Sequence, residues 1–96
     1  MQQLLVLNLP PELEDDLVDY LISLPQVGGF TSYPARGHGE QKQLSIAEQV
    51  TGRRKRIQFE LILPQENVAE VLAGIKHQVG GDIFYWQQTV VASGTL

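Results

Sequence analysis

The chain contains no cysteine. That excludes disulfides, thiolate nucleophiles, Cys-ligated zinc and iron–sulfur clusters. Positive charge is scarce as well. Lys and Arg number 7 against 11 Asp and Glu, a net charge of −4 in 96 residues. Binding nucleic acid through its phosphates needs the opposite excess. No stretch approaches the roughly 18 apolar residues of a membrane span, so no direct membrane insertion is expected. Gln3 to Leu9 is apolar but short, follows no basic residue and ends at Pro10-Pro11. It does not read as a signal peptide, and a cytoplasmic location is the expectation. Repeats, linkers and low-complexity tracts are missing too, and the length suits one domain over 1–96.

What is present is a sequence with alternating periodicities. Leu4-Leu5-Val6-Leu7 reads as a buried strand. Pro10-Pro11 opens a helix, with Glu12, Glu14, Asp15 and Asp16 near its positive end. Leu13, Leu17, Tyr20, Leu21 and Leu24 follow at helical spacing, and Pro25 and Gly28-Gly29 end the helix. Val18 and Ile22 fall opposite the Leu13/Leu17/Leu24 stripe and read as a candidate partner patch or as two ordinary surface apolars. Phe30 to Ala35 reads as a second strand, which Pro34 confines to a sheet edge or a bulge. A polar stretch from Gly37 to Gly52 reads as a long hairpin loop, a length usually functional or disordered. Ile57, Phe59, Leu61 and Leu63 alternate with Arg56, Gln58, Glu60 and Ile62, the clearest strand in the chain. Pro64 starts a second helix with Val68, Val71, Leu72, Ile75 and Val79 inward, stopped by Gly80-Gly81. Ile83 to Val91 is a last strand.

The order β-α-β-β-α-β is the ferredoxin-like plan. It predicts an α+β fold, a four-stranded antiparallel sheet with both helices on one face. Ile62 and part of the aromatic run at 84–86 would then lie on the open face, which invites oligomerisation.

Enzyme chemistry finds no footing. Ser23, Ser32, Ser45 and Ser93 sit in no nucleophile-elbow context, and the first helix's carboxylates read as a solvated face. No catalytic residue is assigned. His77 is expected to face solvent. His38 and Glu40 form a His-x-Glu pair, two ligands where a metal site needs three or four. A three-fold assembly could supply the rest. Gly37-His38-Gly39 is a turn whose amides could face an anion. Arg53-Arg54-Lys55-Arg56 holds four of the seven basic residues. It reads as a solvated run guarding a strand or as an anchor for an anionic ligand or acidic partner. RNA recognition on a sheet of this order needs a Gly/aromatic third strand, which Arg56-Ile57-Gln58-Phe59-Glu60 does not provide.

The segment Gly29 to Lys42 (GFTSYPARGHGEQK) resembles the second strand and loop entry of PII signalling proteins. Val79-Gly80-Gly81-Asp82-Ile83-Phe84 resembles their glycine loop before the last strand. Gly37-His38-Gly39 together with Glu48-Gln49-Val50-Thr51-Gly52-Arg53 is closer to a divergent PII-like group, often encoded beside heavy-metal efflux pumps. The resemblance implies a homotrimer with the open sheet faces at its centre, a mobile signalling loop at about 37–53 and ligand sites in subunit clefts. It departs from PII where Glu40 replaces an Arg and Asp82 replaces the Lys that meets phosphate.

The expected function is therefore a PII-like trimeric regulator. It would sense a nucleotide or divalent metal ion and control a partner protein such as a membrane transporter for metal efflux. The candidate ligand-binding residues are Arg36, Gly37, Gly39, Lys42, Arg53, Arg54, Gly80, Gly81 and Asp82. His38 and Glu40 are the candidate metal contacts. The alternative is a ligand-independent interaction adaptor working through Val18, Ile22 and the basic tetrad.

Overall fold

The computed structural model describes residues 1–38 and 54–96. Strand β1 (Gln2–Leu9) leads through a short 3-10 turn at Pro11–Leu13 into helix α1 (Glu14–Ser23). Strands β2 (Thr31–Gly37) and β3 (Arg54–Pro64) follow, then helix α2 (Gln65–Gln78) and strand β4 (Phe84–Val90). The strands form one sheet in the order β2-β3-β1-β4, with every neighbouring pair antiparallel. This is the expected ferredoxin-like α+β arrangement. Pro34 does lie on an edge strand.

Strand alternation separates the two faces of the sheet. Leu5, Leu7 and Leu9 stand opposite Leu61, Phe59 and Ile57, and all are buried. They meet Leu17 and Leu21 of α1 and Val68, Val71 and Ile75 of α2 in one core, so both helices cover the same face. Gln3 is the polar member of this face. It donates to Thr89 Oγ1 at 3.4 Å and accepts from Gln87 at 3.3 Å.

The helices start and stop for local reasons. Acidic residues fill the first turn of α1, and Lys76 and His77 the last turn of α2, each favourable to the helix dipole. Pro64 precedes α2 with extended backbone, and the Gln65 N–H bonds the Met1 carbonyl at 2.9 Å. At the far end the N–H groups of Val79 and Gly80 both bond the Ile75 carbonyl. Gly80 then takes φ 141°, a backbone that a side chain would strain, and the chain turns into β4.

Several boundaries differ from the sequence reading. β2 runs past Ala35 to Gly37, because Arg36 and Gly37 pair with Lys55 and Arg54. Gly37 thus belongs to a strand and not to the loop. β3 begins two residues earlier than Arg56 and ends at Pro64. Val18 packs against the core while Ile22 stays 70% exposed, so the two form no joint patch. Among the described residues no helix is long and apolar enough to cross a membrane.

Candidate functional site

The open face carries two kinds of residue. Phe84, Trp86, Val6 and Ile62 make it apolar. Phe84 and Trp86 lie two apart on β4 with ring centroids 5.5 Å from each other. Between them and the β2 edge runs a chain of side-chain hydrogen bonds. The Tyr33 hydroxyl donates to Glu60 at 2.6 Å and accepts from Gln58 at 3.0 Å. Asn8 donates to Gln58 at 3.1 Å. Arg56 donates to the Asn8 side chain at 2.6 Å and its carbonyl at 2.8 Å. The same guanidinium reaches the Asp82 carbonyl at 2.9 Å and its carboxylate at 3.3 Å.

Arg56 is therefore no solvated cation. It is 5% exposed, and its charge and fork geometry are used inside the fold. Asp82, read from sequence as a ligand residue, is the anionic partner in that contact. Sequence reasoning missed both roles, along with Asn8, Tyr33 and Glu60. The available signal was strand parity, which puts Arg56, Gln58 and Glu60 on one face of β3.

The Tyr33 phenol is held above its ordinary range, first because it donates to Glu60. Tyr20, between the helices, is also raised, by burial and then by the nearby Glu70 carboxylate.

The remaining candidates gather at one end of the sheet. Gly37 closes β2 opposite Arg54, and exposed His38 follows. Exposed Arg36 stands directly across from Lys55. Gly80, Gly81 and Asp82 precede β4 at the same end, because Phe84 pairs with Asn8 and Ile57 with Leu9. The two groups sit at opposite edges, three strand spacings or roughly 14 Å apart. A cleft of about 390 Å³ opens beside the turn, lined by Leu72, Lys76, Gly80, Gly81, Asp82 and Tyr85 among others. Among the described residues, none of the β2–β3 base lines it. Gly39, Glu40, Lys42 and Arg53 lie outside the described residues, and so does the span 39–53 of the expected loop. Among the described residues no group of three or more His, Cys, Asp or Glu could hold a metal ion.

Comparison with known proteins gives a family. The chain resembles a DUF3240 family protein from Shewanella baltica OS155, known from a crystal structure. The TM-score is 0.83 at 28% identity, covering 99% of this chain and 96% of that one. No curated protein matches. The model of the family described as "Protein of unknown function (DUF3240)" matches residues 1–96, and the chain belongs to the DUF3240 family.

Proposed function

We propose that this chain is a PII-like regulatory protein that works as a cytoplasmic homotrimer. It senses a small ligand, a nucleotide or a divalent metal ion, and controls a partner such as a metal efflux transporter. One observation carries the reading. The two segments that resemble PII come to the same end of the sheet but at opposite edges. In one copy they stand about three strand spacings apart. Copies packed with the β2 edge of one beside the β4 edge of the next would bring Arg36, Gly37 and Arg54 to Gly80, Gly81 and Asp82. Three such contacts close a ring, and a cyclic ring is an ordinary solution for a chain with two different edges. His38 and Glu40 are the metal contacts in the metal-ion version. Lys42, Gly39 and Arg53 join the anion contacts in the nucleotide version. No catalytic step is assigned.

The adaptor reading has less support. Its apolar patch loses Val18 to the core, and its basic tetrad loses Arg56 to Asp82.

Native mass spectrometry tests the proposal, with the protein alone and with ATP, ADP, cyclic AMP, Zn²⁺, Cu²⁺ or Ni²⁺. A trimer that takes up three ligands is expected. A monomer overturns the assembly, and a trimer that takes up none of the six overturns the sensing role.

A further inference from the structure

The two helices leave part of the sheet uncovered. The core draws on β1 and β3, and among the described residues none of β4 enters it. Strand alternation still puts Tyr85 on the helix face, opposite Leu7, where it stays 50% exposed. The cleft of about 390 Å³ lies between this overhanging strand and the last turns of α2. Leu7, Leu72 and Ile83 make its lining apolar, and Tyr85 adds a ring. Small residues keep it open. Ala73 lines it, and a Cβ added at Gly81 would meet nothing within 4 Å. Two polar groups join this lining, the Lys76 ammonium and the Tyr85 hydroxyl. Among the described residues neither has a side-chain partner. The positions three and four away from Lys76 are Leu72, Ala73, Val79 and Gly80, so its own helix offers it no acid. The other charged lining residue, Asp82, is paired with Arg56.

We infer that this cleft is a binding site for a small ring-bearing monocarboxylate, its ring against Tyr85 and its carboxylate on Lys76. The shape fits, since an apolar hollow with a few polar groups and roughly 300–1,000 Å³ is the ordinary form of a small-molecule site. The charge selects the ligand further. Lys76 is a single cation, which matches one negative charge. A polyphosphate would set its remaining charges beside the half-exposed Asp82 carboxylate. A cationic ligand would meet Lys76 itself. The last turn of α2 ends in carbonyls, which disfavour an anion, so the attraction must come from Lys76. The Ile75 carbonyl is already occupied by the N–H groups of Val79 and Gly80. Tyr85 serves the ligand twice. Its ring offers an aromatic partner the offset or edge-on contact that such pairs prefer. Its hydroxyl can donate to the second carboxylate oxygen. All these residues belong to one copy, so the site goes beyond the sensing proposed between copies and does not depend on it.

The full chain, labelled with ¹⁵N, is titrated with sodium phenylacetate while its amide shifts are followed by nuclear magnetic resonance. Expected are saturable shifts in residues 72–76 and 80–85. The dissociation constant should be about 1 mM, the strength of a ligand of about ten heavy atoms in an open cleft. Two further probes divide that ligand. Benzyl alcohol keeps the ring without the charge, and acetate keeps the charge without the ring. Each should bind at least about tenfold more weakly. Lys76→Met keeps the apolar stem and removes the charge. It should weaken phenylacetate by about tenfold and leave benzyl alcohol unchanged. Ala73→Leu fills the cleft from an exposed helix position, where leucine is also a good helix former, and should abolish binding of both. No saturable shift up to about ten times the expected constant overturns the site. Shifts centred on Trp86 or on Gly28 and Gly29 overturn it as well. Equal weakening of phenylacetate and benzyl alcohol by Lys76→Met overturns the carboxylate assignment. Uptake of ATP or Zn²⁺ has no bearing on these outcomes, so this site and the proposed sensing role fail separately.

Discussion

Arg56 and Asp82 are joined twice, through the Asp82 carbonyl and its carboxylate, across 26 residues of chain. Asp82 has φ 59°, a left-handed backbone uncommon outside glycine and, among other residues, best tolerated by Asp and Asn. The other edge of the same guanidinium holds Asn8. One side chain thus ties β3, β1 and the turn before β4 together.

Replacing Arg56 should reach all three elements. Arg56→Met keeps most of the volume and removes every one of these hydrogen bonds, two of them to backbone carbonyls. A loss of about 2–4 kcal/mol is expected in urea unfolding, the range for breaking a buried charged network. Arg56→Lys should recover little, because an ammonium has no planar fork. Asp82→Ala should cost less, about 1 kcal/mol, since Asp82 is 56% exposed and its carbonyl contact survives. Equal losses for Arg56→Met and Asp82→Ala would show that the carboxylate alone matters.

Gly74 of α2 lies directly against the Tyr20 side chain of α1. A Cβ built there overlaps the Tyr20 hydroxyl and the ring carbon that carries it. Alanine is otherwise the better helix former by about 1 kcal/mol. The Tyr20 ring is half-buried and can shift, so Gly74→Ala should still destabilise, by about 1 kcal/mol net, through overpacking. The pair Gly74→Ala with Tyr20→Leu should be more stable than the two single effects sum to. Thermal unfolding of the four proteins checks it, and simple additivity would show that the helices do not touch there.

Two of the chain's three tyrosines should ionise late. Tyr33 is raised because its neutral phenol donates to Glu60, and Tyr20 chiefly because it is buried. A raised folded pKa means that folding favours the neutral form. That contribution is complete below the unfolded value of 10.0 and is lost as pH climbs through the folded values. Ultraviolet titration of Tyr33→Phe and Tyr20→Phe assigns the two late steps. Glu60→Gln should bring the Tyr33 step back down and leave that of Tyr20 in place. A Tyr33 step unmoved by Glu60→Gln would mean that the negative charge of the acceptor does not set it.

The fold was legible because its signals are local. The alternation of Ile57, Phe59, Leu61 and Leu63 and the helical spacing of Val68, Val71 and Ile75 give element types and their inward faces. Pro34 gave its strand an edge position. Contacts between distant segments were not legible. Arg56 stands among three other basic residues and reads as solvated until β1 and β3 are in register, when Asn8 and Asp82 come within its reach. Gly74 likewise reads as an ordinary helix glycine until Tyr20 lies against it.

Val18 shows the same limit on one helix, and a pair of substitutions measures it. Counted at about 100° per residue, Val18 lies about 60° beyond Leu21 on the side away from Tyr20. The buried stripe of α1 is wider than Leu13, Leu17 and Leu24 suggest, because Tyr20 meets α2 while Val18 packs against the core. Ile22, about 40° further round, is left outside. Val18→Ala should therefore cost about 1 kcal/mol, the loss of two half-buried methyl groups. Ile22→Ala should change stability by less than about 0.5 kcal/mol, with alanine's helix preference pulling toward a gain. Urea unfolding of both variants decides between a core position beside a surface one and a joint patch. Equal effects for the two would restore the patch and place Val18 at the surface.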